Sequence, residues 1–187
     1  TETDGSGKAG ELNIRASDTV TIRREAVFLQ GGYLTSSLST DTSSASSGGN
    51  LRLNTRRLIV EDGGEISTST SGSGAAGSLE IDATESIDLN GAGFSDSSIF
   101  SGVTLAGTGT GGKLTIRSPR LSVRNGAEVS TVSFGSGNAG EIRIDANEVT
   151  IDNGQITSST TGNLGVVPRS LNGLSRVQDG NTLIITR

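Results

Sequence analysis

Acidic side chains at repeated positions are the residues of this chain that come closest to a catalytic set. Asp82 and Asp145 stand at equivalent outward positions after a short apolar strand pattern, and Asp88 and Asp152 lie near the following pattern. Glycoside hydrolysis uses two carboxylates that face one groove at a defined separation, so acidic ladders on one face would favour a glycan-active surface. The alternative is that these four carboxylates are solubilising surface charges.

The residue types that are missing favour that alternative. The 187 residues include no His, Cys, Met or Trp, which removes the imidazole base, the thiol nucleophile, the disulfide framework and the common zinc ligands. The acidic residues are also not concentrated in one cluster. We therefore predict that the protein is not an enzyme and that it has no catalytic residues, no cofactor and no metal site.

Two further motifs resemble ligand sites but lack the required context. Asp62 and Asp152 are the best placed calcium ligands, yet the glycine loops carry Ser, Ala and Thr where calcium-binding β-rolls carry aspartate. The G-x-G-x-x-G spacing of Gly72, Gly74 and Gly77 matches a dinucleotide fingerprint. That fingerprint requires a helix after the glycines, whereas a strand pattern follows here. The motif also recurs at 5–10 and 135–140, which favours a structural role.

Tracts of Ser and Thr recur between the apolar patterns. In a stack of repeats they would form a flat, hydroxyl-lined face that could order water or contact sugars. The alternative is that Thr is simply a favourable residue on the solvent side of a strand. The tracts lie at 35–37, 67–70, 130–131 and 157–160.

One sequence pattern recurs in five copies along the chain, and all of these residues belong to it. Each copy begins with a small residue and a glycine, and continues with two period-two apolar pairs and one further apolar residue. Alternation of this kind predicts strands with one buried face, so each copy predicts three short strands and five inward residues. The anchor glycines are Gly10, Gly49, Gly77, Gly112 and Gly140. The predicted inward pairs of the first strands are Leu12/Ile14, Leu51/Leu53, Leu79/Ile81, Leu114/Ile116 and Ile142/Ile144. Those of the second strands are Val20/Ile22, Leu58/Val60, Ile87/Leu89, Leu121/Val123 and Val149/Ile151. The predicted third-strand residues are Leu34, Ile66, Ile99, Val129 and Ile156.

The turns between the second and third strands contain Gly, often after Asn or Asp, as in Asp62-Gly63, Asn125-Gly126 and Asn153-Gly154. These residue types tolerate the left-handed backbone of a sharp corner. Because each repeat buries its apolar side only against a neighbouring copy, the pattern predicts an all-β fold. We predict a right-handed parallel β-helix with three short strands per coil and loop insertions at one corner.

The insertions lie in the first and third repeats, between the second and third strands. They carry Phe28, Leu29 and Tyr33 in the first and Phe94 in the third, although aromatic residues make up only 3% of the chain. Such side chains either cover the side of the helix or form a recognition ridge. These four residues are therefore predicted surface-contact positions.

The repeat pattern, as in Ala-Gly-Glu-Ile-Arg-Ile-Asp-Ala at 139–146, resembles that of the filamentous-haemagglutinin-type exoproteins, particularly the repeat-rich versions found in cyanobacteria. The resemblance covers about residues 1–162. It implies export by a partner transporter and a role in adhesion, surface coating or filament formation.

The two ends predict a junction. Residues 1–10 match 68–77 in register, so the chain starts partway through a repeat, and the repeat pattern fails after Gly162. We predict β-helix repeats over 1–162 and a capping or junction segment over 163–187. End-to-end self-association is predicted through Thr1, Thr3 and the strand-like Leu183, Ile184 and Ile185, since exposed strand edges recruit further strands.

Charge and hydropathy exclude two kinds of partner. The net charge of −5 comes from interspersed acids and bases without a basic run, which predicts no nucleic-acid binding. No stretch approaches the roughly 20 apolar residues of a membrane-spanning helix.

We expect an extracellular structural or adhesive stalk or filament subunit, secreted or on a bacterial cell surface. The alternative is a glycan-binding or glycan-active β-helix.

Overall fold

The computed structural model describes residues 2–3, 7–23, 36–91, 96–160 and 182–185. Every regular element in these ranges is a β-strand, which confirms the prediction of an all-β chain for the part described. Phe28, Leu29, Tyr33, Leu34, Phe94 and Thr1 lie outside the described residues, as does the predicted boundary between 162 and 163. The strands are β1 (Glu2–Thr3), β2 (Leu12–Arg15), β3 (Thr19–Arg23), β4 (Ser37–Ser39), β5 (Asp41–Thr42), β6 (Leu51–Glu61), β7 (Glu65–Thr70), β8 (Leu79–Asn90), β9 (Ser98–Val103), β10 (Leu114–Arg124), β11 (Glu128–Ser133), β12 (Ile142–Asp152), β13 (Gln155–Thr160) and β14 (Thr182–Ile185).

The strands form two sheets, and the chain alternates between them. The first sheet has the order β1-β5-β7-β9-β11-β13, with β4 also paired to β7. The second sheet has the order β14-β12-β10-β8-β6-β2, with β3 also paired to β6. The repeats pair in parallel, whereas β14 pairs antiparallel with β12. Equivalent residues of successive repeats therefore stand beside one another in columns that cross each sheet.

The interior columns are apolar, as the alternation predicts. All fifteen predicted inward residues of the three middle repeats are at most 1% exposed. One buried cluster combines side chains of the second sheet with Ile66, Ile99 and Val129 of the first sheet, so the core lies between the two sheets. Burial of such side chains stabilises a fold by about 1.5–3 kcal/mol each.

Two of the three predicted strands are joined in most repeats. In the second to fifth repeats the first two predicted strands form one strand of 11 or 12 residues, and they are separate, as β2 and β3, only in the first repeat. The register shifts between Thr55 and Arg57 where β6 pairs with β8, which marks a bulge at the predicted break. Thr55 Oγ1 also donates to the carbonyl oxygen of Arg57 at 3.1 Å. The bulge absorbs the bend without ending the strand.

The third strand of the first repeat is centred on Leu38, so the prediction of Leu34 at this position is wrong. Leu38 pairs with Ile66 and packs against the core cluster. Leu38 precedes the anchor glycine of the next repeat, Gly49, by 11 positions, and Ile66 precedes the next anchor, Gly77, by the same number. The insertion before this strand is consequently longer than predicted.

The corners adopt the predicted left-handed backbone. Asp62, Asn125 and Asn153 have φ values of 51°, 53° and 52°, and Gly63 and Gly126 follow at 80° and 86°. Asn and Asp reach this region at lower cost than other side chains because their short polar groups bond locally. The turn prediction is confirmed at these positions.

The anchor glycines stack directly on one another. A Cβ atom at Gly77 would overlap the carbonyl oxygen of Gly49, and one at Gly112 would overlap that of Gly77. The same holds for the earlier glycines of the motif, since a Cβ at Gly137 would overlap the carbonyl of Gly109. The recurring G-x-G-x-x-G spacing thus lets the backbones of neighbouring repeats approach closely.

Candidate functional site

The outward face of the second sheet, here called the charged face, holds most of the acidic residues considered above. Its register places Asp82 beside Arg117 and Arg117 beside Asp145. Arg117 Nη1 lies 3.1 Å from Asp82 Oδ1, and Arg117 Nε lies 3.9 Å from Asp145 Oδ2. A cation therefore separates the two carboxylates, so they do not form the acidic ladder that would favour a glycan-active surface.

Asp88 and Asp152 do not form a second ladder. Asp88 stands in a column with Ser122 and Thr150, whereas Asp152 pairs with Arg124 in the next column but one. Arg124 Nη2 lies 3.9 Å from Asp88 Oδ1. The parallel register places charges of opposite sign beside each other, as it does for Asp82, Arg117 and Asp145. Like charges directly opposite each other on neighbouring strands would be destabilising.

Glu80 is the acidic centre of the charged face. It receives hydrogen bonds from Arg117 Nη1 at 2.5 Å and from Arg52 Nε at 2.9 Å, so it joins the repeats on either side. The hydrogen bond from Arg117 holds the pKa of the Glu80 carboxyl below its usual value, against the opposing effect of desolvation. The same contacts raise the pKa of Arg117. Glu80 is thus ionised and fully used in pairing.

Arg56 makes a similar bridge at the bulge. Its guanidinium pairs with Asp18 of the first repeat and with Glu85 of the third. The hydrogen bond from Arg56 lowers the pKa of Asp18. Each of these bridges ties three successive repeats together, so the charged face is suited to holding neighbouring strands in register.

A shallow groove of about 460 Å³ crosses the charged face. Its ionic lining combines Arg52, Lys113 and Arg117 with Glu11 and Glu80. This lining is mixed in sign, so the long acidic groove that would favour glycan hydrolysis is not present on this part of the face. In the described residues, no three Asp or Glu side chains come together as a metal site.

The Ser/Thr tracts are divided between the inside and the outside of the first sheet. Thr68 and Thr131 are fully buried, and each donates a hydrogen bond at 2.9 Å to an anchor carbonyl oxygen, that of Gly77 or Gly140. Thr40 donates in the same way to Gly49 at 2.6 Å. Thr40, Thr68, Ser101, Thr131 and Ser158 form one column, here called the inner hydroxyl column. Thr68, Thr131 and Ser158 belong to the predicted tracts, and for these three the prediction of a solvent-facing hydroxyl surface is wrong.

The inner hydroxyl column donates hydrogen bonds to anchor carbonyl oxygens that are buried by the stacked glycines. A buried carbonyl without a hydrogen-bond partner costs about 1–3 kcal/mol. The hydroxyl stands nine residues before the carbonyl it bonds in three repeats. That spacing is visible in the sequence and is the signal that would have identified the column.

Phe100 is a surface residue that the repeat pattern did not predict. It follows the inward Ile99, so it projects from the outer side of the first sheet, where the paired positions are Ser67 and Ser130. Its ring lies over Gly102, where an added Cβ would come within 2.6 Å of the ring. Phe100 is only partly buried, while Ser67 and Ser130 beside it are 3% and 2% exposed. The partly exposed ring of Phe100 is therefore an aromatic platform, whereas the two serines beside it are buried.

The predicted junction residues lie at opposite ends of the molecule. Thr3 pairs with Thr42 at the β1 end of the first sheet. Leu183, Ile184 and Ile185 pair with Ile144, Arg143 and Ile142 at the β14 end of the second sheet. These two groups therefore do not meet within one chain.

Comparisons with protein-family models, curated proteins and solved structures found no match to this chain. In the ranges that the structure describes, no helix has the length and apolar character needed to cross a membrane.

Proposed function

We propose that the chain is a right-handed parallel β-helix and that it serves as an extracellular structural or adhesive stalk. The observation that supports this most is the register: five repeats place equivalent residues side by side in both sheets over one continuous core. A stack of this kind extends by about 4.8 Å for each repeat. Its length is therefore set by the number of repeats, which suits a spacer.

The surface chemistry agrees with a passive role. Side chains of the charged face pair mainly with neighbouring repeats, as Glu80 does with Arg52 and Arg117. Because these charged side chains are paired with each other, they stabilise the register of the strands and leave few charges available to bind a substrate. The resemblance of the repeat pattern to filamentous-haemagglutinin-type exoproteins agrees with a secreted or cell-surface location and with adhesion.

Repeat duplication tests the stalk. Three extra in-frame copies of residues 49–76 should lengthen the particle by about 14 Å at constant cross-section, because Gly49 and Gly77 occupy equivalent anchor positions. Small-angle X-ray scattering measures both dimensions. A matched control carries the same residues in scrambled order and should not extend the rod. An unchanged length, or a thicker particle, would contradict the stack.

Glycan binding is the second candidate function, and Phe100 favours it. Aromatic rings supply a flat apolar surface with a large contact area, and the ring of Phe100 is only partly buried. Phe100→Ser introduces the residue found at both neighbouring positions and should preserve the fold. Binding of the intact protein to a panel of immobilised glycans, lost in this variant, would support the idea. Binding that survives the substitution would exclude this platform.

A further inference from the structure

Three corners of the described chain carry the sequence Asn-Gly, at 90–91, 125–126 and 153–154. In such a sequence the backbone nitrogen of the glycine can attack the side-chain carbonyl carbon, Cγ, of the asparagine. The attack closes a five-membered succinimide ring and releases ammonia. Because glycine has no Cβ atom, it hinders this attack less than other residues do. Each of the three corners therefore carries the groups needed for deamidation.

Hydrogen bonds oppose the reaction in a folded chain. Ring closure requires rotation about the Cα–C bond of the asparagine, which moves its carbonyl oxygen and the next nitrogen, and the side chain must turn as well. Hydrogen bonds to these groups must break first, and such local opening carries a free-energy cost. The hydrogen bonds at each corner therefore decide which asparagine reacts.

The corner at Asn90 is the most strongly held. Gly91 is buried, and its nitrogen donates to the carbonyl oxygen of Arg124 at 3.0 Å. The carbonyl oxygen of Asn90 accepts from Ser97 Oγ at 2.8 Å, and its Oδ1 accepts from Asn125 Nδ2 at 2.8 Å. Ring closure at Asn90 therefore breaks at least three hydrogen bonds.

At Asn125 two hydrogen bonds hold the reacting groups. Gly126 N, the attacking nitrogen, donates to the carbonyl oxygen of Asn153 at 2.5 Å. The side-chain amide of Asn125 is held by its bond to Asn90 Oδ1. Both the attacking nitrogen and the attacked amide are thus engaged, although Asn125 itself is exposed.

The corner at Asn153 is the least held of the three. Asn153 is exposed, and within the described ranges neither its side-chain amide nor Gly154 N has a hydrogen-bond partner. Ring closure there breaks one hydrogen bond, the one that the Asn153 carbonyl oxygen accepts from Gly126 N. Water also reaches this corner directly.

The length of the last corner explains why its glycine nitrogen is free. The inward residues at 151 and 156 are five positions apart, whereas those at 123 and 129 are six apart. In the longer corner, Ala127 N donates back to the carbonyl oxygen of Arg124 at 3.0 Å and closes the turn. In the described part of the shorter corner, Gly154 N makes no bond of this kind.

We propose that Asn153 is a site of spontaneous deamidation and that hydrogen bonds protect Asn90 and Asn125 from the same reaction. A bond forms between Gly154 N and Asn153 Cγ, the Cγ–Nδ2 bond breaks, and the displaced nitrogen leaves as ammonia with the proton of Gly154 N. Water then opens the ring. Attack on Cγ gives aspartate, and attack on the backbone carbonyl carbon gives isoaspartate. Either product adds a negative charge next to Asp152.

Incubation of the intact protein at mildly alkaline pH tests the site, with tandem mass spectrometry of its peptides over time. In the folded protein Asn153 should deamidate about fivefold faster than Asn125 or more, the effect of one additional hydrogen bond, and faster still than Asn90. In concentrated urea the three rates should become similar, because each asparagine then precedes an unhindered glycine. The Asn-Gly sequence at 172–173 lies outside the described residues and is followed as a separate peptide.

A pair of variants at position 90 tests the protecting hydrogen bond. Asn90→Ala removes the acceptor of the Asn125 amide, so the rate at Asn125 should rise toward that at Asn153, while Asn153 is unaffected. Asn90→Asp is the matched control, because it keeps an oxygen that accepts from Asn125 Nδ2, and Asn125 should stay slow. Circular dichroism checks that both variants are folded.

Two results would overturn the proposal. The first is a folded protein in which Asn125 reacts as fast as Asn153. The second is a rate at Asn153 that folding slows as much as it slows Asn90 and Asn125, relative to the protein in urea. An unchanged rate at Asn125 in Asn90→Ala would refute protection by the side-chain bond.

Discussion

Replacing Thr68 by Val is a direct test of the inner hydroxyl column. Thr68 Oγ1 donates to the carbonyl oxygen of Gly77 at 2.9 Å and lies 2.9 Å from Ser101 Oγ. Val keeps the β-branched shape and strand preference of Thr, so the substitution removes the hydroxyl and little else. The change is therefore a measure of the buried hydrogen bond.

The expected loss follows from the remaining donors. A buried hydrogen bond contributes about 0.5–1.5 kcal/mol, and an unpaired buried carbonyl costs about 1–3 kcal/mol. Ser101 Oγ lies 3.5 Å from the same carbonyl oxygen and partly replaces Thr68. We expect Thr68→Val to lower the free energy of unfolding by about 1–2 kcal/mol, which for a chain of this size lowers Tm by about 2–8 °C.

Thermal and urea unfolding followed by circular dichroism measure this loss. Thr150→Val is the matched control, because Thr150 also lies in a strand but is exposed, and its effect should stay within about 0.5 kcal/mol. Adding Ser101→Ala to Thr68→Val should cost more than the sum of the single changes, since no hydroxyl then reaches Gly77. Equal stability of Thr68→Val and Thr150→Val would refute the buried column and restore the solvent-facing hydroxyl surface.

Three further substitutions test the stack, its core and its charged face. Gly77→Ala should lower the free energy of unfolding by about 2–3 kcal/mol because its Cβ meets backbone, whereas Gly7→Ala, with open space around it, should be neutral in the same urea titration. Ile116→Asp should abolish the cooperative thermal transition, because it places an unpaired charge in a dry core. The control Ile151→Asp, at a half-exposed position, should retain the transition. A cooperative transition of the Ile116→Asp protein would contradict the register. The lowered pKa of Glu80 stabilises the fold above the unfolded pKa, and this contribution is lost as pH falls through the folded pKa. Glu80→Gln should therefore be less stable than the natural protein at neutral pH, by at most about 1 kcal/mol, and equally stable in acid; a difference that persists in acid would rule out the ionic contribution.

The alternating apolar pairs determined the strands and the core. A residue that alternates with polar neighbours has one side on which it can be buried, so Leu51, Ile81 and Ile116 were assigned to the interior from periodicity alone and are fully buried. The Asn-Gly and Asp-Gly corners were equally readable, because few other residue types adopt positive φ. The strands and the corners thus depend on residues that are close together in the sequence, and for that reason the sequence predicts them.

Relations between repeats were harder to read. Asp82 and Asp145 have the same local sequence position, but whether they form a ladder depends on Arg117 in the repeat between them. Leu34 satisfied the apolar requirement of the third strand, yet the pairing with Ile66 selects Leu38. Insertions of unequal length hide such pairings, since distance along the chain no longer measures position in the stack.

The sequence by itself determined an all-β chain of five repeats, the interior residues of the three middle repeats and the corners, because these depend on side-chain type and on spacing within a repeat. Only the tertiary structure decided which polar groups are buried. Thr68 and Ser69 are neighbours of similar polarity, but Thr68 faces the anchor carbonyls while Ser69 bonds to Asp41 of the preceding repeat. The positions of β1 and β14 at the edges of the two sheets were likewise set by pairing between distant segments. Strand pairing across repeats fixes both features, and no window of local sequence contains it.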